Sequence, residues 1–107
     1  MGTMNPAASS APESPRVRVP VRVPGPLREL ADGRAEVEVE AGTVGESLDA
    51  VLAAHPGLRR HVRDEGGALR DHVNVFLNEE DIRYLGGEAT AVAAGDVVTV
   101  VPSIAGG

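Results

Sequence analysis

Valine falls on every odd position from Val17 to Val23, with Arg18, Pro20 and Arg22 between. Strict alternation of this kind predicts a half-buried strand. Pro20 has no N–H to give to a ladder, so the well-paired part is expected from Val19 to Val23, with the proline near its start. Pro24-Gly25-Pro26 stops the strand, and Leu27 to Gly33 reads as a loop or wide turn. Alternation resumes from Arg34 to Glu40, with Ala35, Val37 and Val39 on one face and Glu36, Glu38 and Glu40 on the other. In a hairpin of these two strands, Arg18 and Arg22 lie opposite the glutamates, and each cross-strand pair contributes a few tenths of a kcal/mol.

The period then changes. Thr43-Val44-Gly45-Glu46 has the form of a capping box, with the Thr43 hydroxyl accepting from the Glu46 N–H and the Glu46 side chain reaching back to Thr43. Val44, Leu48, Val51 and Leu52 follow on one helical face, and His55-Pro56-Gly57 ends the helix. Leu58 to Val62 allows one further turn, and Asp64-Glu65-Gly66-Gly67 reads as a loop. His72 to Leu77 predicts a third strand. It turns at Asn78 to Asp81 into a short strand, Ile82-Arg83-Tyr84, which Gly86-Gly87 breaks. Ala94-Gly95-Asp96 marks a tight turn before Val97 to Val101, an almost wholly apolar run expected of a strand buried on both faces. One amphipathic helix must lay its apolar face on the sheet, so the fold expected is a two-layer α+β domain over residues 16–102. The Ala-, Ser- and Pro-rich segment 1–15 has too little to bury and reads as a disordered tail. Residues 103–107 read as a flexible carboxyl-terminal tail.

Composition narrows the chemistry. The 107 residues carry a formal net charge of −6, which argues against the basic footprint of a nucleic-acid binder. With no cysteine there is no disulfide, thiolate metal site or cysteine nucleophile. All ten basic residues are Arg, which fits GC-rich codon usage and also leaves no lysine amine to attack an activated acyl group. Neither a signal-peptide core nor a membrane-length apolar run is present, so a cytoplasmic protein is expected.

His55 and His61 flank a helix stop and read as surface or helix-end residues, so no metal site is expected. Glu79, Glu80 and Asp81 are consecutive in a turn and read as solvated carboxylates, with partner docking as their alternative use. Arg59, Arg60 and Arg63 read as a solvated basic face, with docking to a partner as the second reading. The chain closes on Gly106-Gly107. With Gly at 13 of 107 positions such a pair arises by chance in only roughly one or two per cent of cases. A tail without side chains fits a narrow slot in another protein.

The stretch Val73-Asn74-Val75-Phe76-Leu77-Asn78-Glu79-Glu80-Asp81-Ile82-Arg83, with Gly86-Gly87, Thr90, Gly95-Asp96-Val97-Val98 and Pro102-Ser103-Ile104-Ala105-Gly106-Gly107, resembles the ubiquitin-like sulfur carriers of the ThiS/MoaD type. The likeness spans about residues 19 to 107 and is strongest after His72. Within that family it is nearest the cysteine-biosynthesis carriers of the CysO type. The segment before Arg16 departs from the compact family pattern.

The resemblance implies a β-grasp fold, a mixed sheet of four to five strands packed on one main helix. It implies a carrier rather than an enzyme, with no cofactor of its own. A ubiquitin-activating-like adenylyltransferase/sulfurtransferase would adenylate Gly107 with ATP, and a sulfur donor would convert it to a thiocarboxylate. Ser103, Ile104, Ala105 and Gly106 would thread the partner's active site, an extended reach of at most ~17 Å. Glu79, Glu80, Asp81 and Arg83 would be docking residues. The acceptor implied is a pyridoxal-phosphate-dependent cysteine synthase, with a peptidase to release cysteine. The alternatives are the small subunit of molybdopterin synthase, held by its large subunit, and a ubiquitin-like modifier joined to target lysines. No nucleic acid or membrane partner is expected.

Overall fold

The computed structural model describes residues 16–102. The segments 1–15 and 103–107, and the tail expectations attached to them, lie outside the described residues. The strands are β1 (Val17–Arg22), β2 (Glu36–Ala41), β3 (Val73–Leu77), β4 (Glu80–Asp81) and β5 (Val98–Pro102). They form one five-stranded mixed sheet in the order β2-β1-β5-β3-β4. Helix α1 (Val44–Ala54) packs on one face and is followed by a 3₁₀ turn, Pro56–Leu58, and the single-turn α2 (Arg59–Val62). This is the α+β, β-grasp arrangement expected from the sequence.

The β1–β2 hairpin pairs antiparallel from Val17↔Ala41 to Arg22↔Glu36. It therefore starts two residues earlier than expected and runs through Pro20, which faces Glu38. The hydrogen bonding explains the tolerance. Val23 N–H donates to the Ala35 carbonyl at 2.9 Å, so by alternation the odd-numbered valines aim their donors at β2 and Pro20 faces away from it. On that other side the parallel ladder to β5 begins only at Val21. No donor is missed. Arg18 reaches Glu38 at 3.1 Å and Arg22 reaches Glu36 at 3.5 Å, the cross-strand pairs expected.

The segment after β1 is more ordered than expected. Gly25–Ala31 is a 3₁₀ helix that carries Ala31 into the core and half-buries Leu27. It ends in two left-handed residues, Asp32 at φ 57° and Gly33 at φ 77°. Helix α1 opens as the capping box requires, with Glu46 N–H donating to Thr43 Oγ1 at 3.1 Å. The reciprocal arm lands one residue further back, where Glu46 Oε1 accepts from the Gly42 N–H at 2.7 Å.

Two other expectations are corrected. The short strand is Glu80–Asp81, and Ile82–Tyr84 is a 3₁₀ turn because the Asp81 carboxylate accepts from the Arg83 N–H and caps it. Strand β5 is central but not buried on both faces. Val98 and Val100 face the helix, whereas Val101 on the open face keeps 37% of its surface exposed. A single helical layer covers only one side of the sheet.

The core is built from valine and leucine: Val19, Val21, Leu48, Val51, Val75 and Val98 are at its centre. Gly45, in the first turn of α1, is where the 3₁₀ turn Gly87–Ala89 closes on the helix. A Cβ there would stand 2.9 Å from Glu88 Oε1, 3.0 Å from its Cβ and 3.2 Å from its carbonyl oxygen. Helix propensity favours Ala over Gly by up to about 1 kcal/mol. The clash involves backbone and is expected to outweigh that, so Gly45→Ala should lose about 1 kcal/mol or more in urea unfolding. A gain would show that the turn moves aside freely.

Candidate functional site

The root of the carboxyl-terminal tail is set by β5. It pairs parallel with β1 at Val21↔Val98 and Arg22↔Thr99, and antiparallel with β3 from Leu77↔Val98 to Val73↔Pro102. The chain thus leaves the sheet from a strand bonded on both sides at Val98 and Thr99 and to β3 alone from Val100 to Pro102. Ser103, Ile104, Ala105, Gly106 and Gly107, the residues expected to carry the chemistry, lie outside the described residues. What the structure establishes is their point of departure at Pro102, opposite Val73.

The expected docking residues divide into two kinds. Glu79 and Glu80 are exposed and, among the described residues, unpaired with any cation. Asp81 is not the solvated carboxylate expected. Its side chain is only 10% exposed and is held by Arg83, with Nη2 at 2.7 Å from Oδ2 and Nε at 3.1 Å from Oδ1. The Arg83 side chain, then its backbone N–H, hold the Asp81 carboxyl below the usual carboxylate range, and Asp81 in turn raises Arg83. This pair stabilises the turn more than it offers a docking charge. Strand register adds a further limit: Glu80 lies opposite Leu77, which faces Val98 at the start of β5. Glu79 and Glu80 therefore sit at the pole opposite Pro102, a strand length of about 15 Å from the tail root.

Several motif residues that carried the resemblance prove to be builders of turns. Asn78, at φ 58°, accepts from Val97 N–H at 3.0 Å through Oδ1 and donates to Asp96 Oδ1 at 3.1 Å. It ties the β3–β4 turn to the turn that launches β5. Gly95 takes φ 95° there. Gly86 N–H donates to Thr90 Oγ1 at 2.8 Å, and Gly87 takes φ 63°.

Arg63 departs most from expectation. It is 6% exposed rather than part of a solvated face. Its guanidinium meets Glu88 at 2.7 and 3.0 Å, Asp49 at 3.0 Å and the Gly67 carbonyl at 2.9 Å. Hydrogen bonding to Glu88 holds its pKa up against the opposing effect of burial. This clamp joins α1, the loop after α2 and the turn before β5. Arg59 and Arg60 remain exposed, as expected. Tyr84, 82% exposed, and Leu85, 39% exposed, leave an apolar pair on the surface beside β4 that no periodicity in the sequence signals. Among the described residues no group of three or more His, Cys, Asp or Glu could hold a metal, and no helix is long and apolar enough to cross a membrane. His55 lies 3.7 Å from Asp32 at the end of α1.

Comparison with known proteins gives the family. The ThiS family model matches residues 21–107. The sulfur carrier protein CysO of Mycobacterium tuberculosis is 37% identical over 93 residues, which is 85% of this chain and 100% of that protein. Small archaeal modifier protein 1 of Haloferax volcanii is 43% identical over 83 residues, 76% of this chain and 91% of that protein. The crystal structure of the Amycolatopsis orientalis BexX/CysO complex contains a chain that superposes with a TM-score of 0.75 at 37% identity, covering 83% of this chain and 99% of that one.

The division of the acidic turn has a measurable consequence. Asp81→Asn should lower stability at neutral pH, whereas Glu79→Gln with Glu80→Gln should leave it within about 0.5 kcal/mol. A depressed folded-state pKa means that the Asp81 contribution is complete above the ordinary carboxylate range and is lost as pH falls through the depressed value. The gap between wild type and Asp81→Asn in thermal melts should therefore close in acid. A gap that stays constant down to the acid limit would remove the ion pair as its cause.

Proposed function

The chain belongs to the ThiS family of ubiquitin-like sulfur carriers and modifiers, and on that premise we propose that it is a sulfur carrier protein whose activated group is the Gly107 carboxylate. The observation that carries this reading is the match to a curated sulfur carrier over that protein's entire length. The fold supports it. β5 is bonded to β1 at Val98 and Thr99 and to β3 as far as Pro102, which roots the tail in the sheet, so a partner can draw on residues 103–107 without loosening the domain.

A carboxylate is ionised at neutral pH and is a poor electrophile. In the proposed sequence a carboxylate oxygen of Gly107 attacks the α-phosphorus of ATP, and pyrophosphate leaves. A sulfide-level donor then attacks the acyl carbon, and AMP leaves. The product is a thiocarboxylate, nucleophilic at sulfur. Activation belongs to an adenylyltransferase/sulfurtransferase partner, so this chain is a co-substrate rather than an enzyme. Identity to the CysO proteins favours a pyridoxal-phosphate-dependent cysteine synthase as acceptor, with a peptidase to free the cysteine.

A second reading draws on the 43% identity to an archaeal modifier, in which Gly107 forms an isopeptide with a target lysine. The chain has no lysine of its own. Homopolymers through side-chain amines are therefore excluded, and any conjugates would be single additions to other proteins.

Incubation with the cognate activating enzyme, ATP and a sulfur donor should replace one terminal oxygen by sulfur, located on Gly107 by top-down mass spectrometry. One residue added after Gly107 should abolish the reaction and leave the melting temperature unchanged. Modification at another position, or full activity of the extended protein without trimming, would overturn the carrier reading. Thiocarboxylated protein should then pass sulfur to the organism's cysteine synthases. Transfer only to the large molybdopterin synthase subunit with its precursor would reassign the acceptor, and lysine conjugates in place of transfer would promote the modifier reading.

A further inference from the structure

Four of the ten cationic side chains of this acidic chain, Arg59, Arg60, Arg63 and Arg70, line one open groove of about 470 Å³. One wall is apolar, formed by Leu30 from the Gly25–Ala31 turn with Pro56 and Gly57. Leu30 keeps 37% of its surface exposed. Arg63 is committed to Glu88 and Asp49 and gives the groove a fixed floor. Its buried Nε has no hydrogen-bond acceptor among the described residues. Arg59, Arg60 and Arg70 have no carboxylate partner among the described residues. Arg70 Nε donates to the Arg60 carbonyl, which lays its side chain along α2. Of the two carboxylates present, Asp64 spends Oδ1 on the Gly66 and Ala68 N–H groups of its own loop, and Glu65 stands exposed.

The groove opens at the pole where the tail departs. Val73 N–H donates to the Arg70 carbonyl at 3.0 Å, and Val73 lies opposite Pro102. Unpaired guanidinium groups beside an exposed leucine call for carboxylates flanking an apolar side chain, since Arg pairs with carboxylate through parallel charge-assisted bonds. No aromatic residue lines the groove to stack a base, which favours an acidic peptide over a single-stranded nucleic acid.

We propose that this groove is a docking site for an acidic linear segment of a partner protein that carries an apolar anchor residue. Docking there places the partner's body beside the tail root. The assignment concerns the groove alone and is tested without any chemistry at Gly107, so it stands or falls separately from the carrier reading.

The probe is an acetylated, amidated heptapeptide with six Asp and Glu residues around a central leucine. Its control has every Asp replaced by Asn and every Glu by Gln. Titrated into ¹⁵N-labelled full-length protein, the acidic peptide should shift the amide signals of Leu30, Gly57, Arg59, Arg60 and Arg70, with an affinity that falls as salt is raised. Arg59→Gln with Arg60→Gln should weaken binding by about tenfold. Leu30→Ser should weaken it in the same direction, and unchanged melting temperatures would show that these variants fold. Absence of binding, shifts centred elsewhere, equal binding of the amide control, or an unchanged affinity in the double variant would each overturn the assignment. Equal affinity for a single-stranded DNA of the same charge would overturn the choice of a peptide.

Discussion

The two-sided hydrogen bonding of β5 is the constraint on which the functional end of the molecule depends. The short parallel ladder to β1 and the longer antiparallel ladder to β3 hold it at the centre of the sheet. A strand in that position cannot peel away without exposing unpaired backbone groups on both edges, each costly once buried. The same ladders fix direction. Because β1 and β5 run parallel, the described chain enters the sheet at one pole and leaves it at the other. The surface around the end of β5 is thereby set by topology: the Gly25–Ala31 turn, the end of α1, α2 and the segment from Arg70 to Val73.

The core that supports this sheet is small-residued. Phe76 is only half-buried and Tyr84 is exposed, so no aromatic ring fills the centre. The segment between β4 and β5 has only Val92 as a buried apolar anchor after Ile82. It is fastened by polar means instead. Arg63 bridges Glu88 and Asp49, Val44 N–H reaches the Thr90 carbonyl, and the missing side chain of Gly45 lets Glu88 approach. A buried cation of this kind adds modest net stability, because desolvation offsets much of the Coulomb attraction. Its value lies in registration. A displaced Glu88 would leave the guanidinium uncompensated, which makes alternative placements of the turn costly.

Much of the architecture was legible in the sequence, since it rests on periodicity. Alternating valines fixed β1 and its partner, the Thr43–Glu46 pattern fixed the start of α1, and the Gly and Pro clusters marked the breaks. The misses share a cause. Arg63 is chemically identical to Arg59 four residues earlier, and only the fold of the Glu88 segment onto α1 decides which of them is buried. Asp81 and Arg83 close on each other two residues apart, a local pairing that a charge count reads as solvated. An apolar run such as Val97 to Val101 reports a central strand without reporting whether one face or both are covered. At the candidate site the ending Gly106-Gly107, from which the chemistry is proposed, lies outside the described residues. The groove beside Pro102 was not legible, because Leu30, Gly57, Arg60 and Arg70 meet only when three separate segments pack.

Charge placement gives these separate features a common sense of direction. On the open face of the sheet Arg18 and Arg22 neutralise Glu38 and Glu36, and Arg83 neutralises Asp81 at the far edge. Among the remaining charges of the described residues, Glu79 and Glu80 stand at the pole where β5 begins, and Arg59, Arg60 and Arg70 stand at the pole where it ends, with the exposed Glu65 and Asp71 nearby. The net charge repels an acidic partner at long range, but within about a Debye length of 8–10 Å local groups dominate. For the acidic segment proposed to dock in the groove, an approach that leads with Arg59, Arg60 and Arg70 meets opposite charge, and one that leads with Glu79 and Glu80 meets like charge. Steering of this kind acts on association rate more than on final affinity.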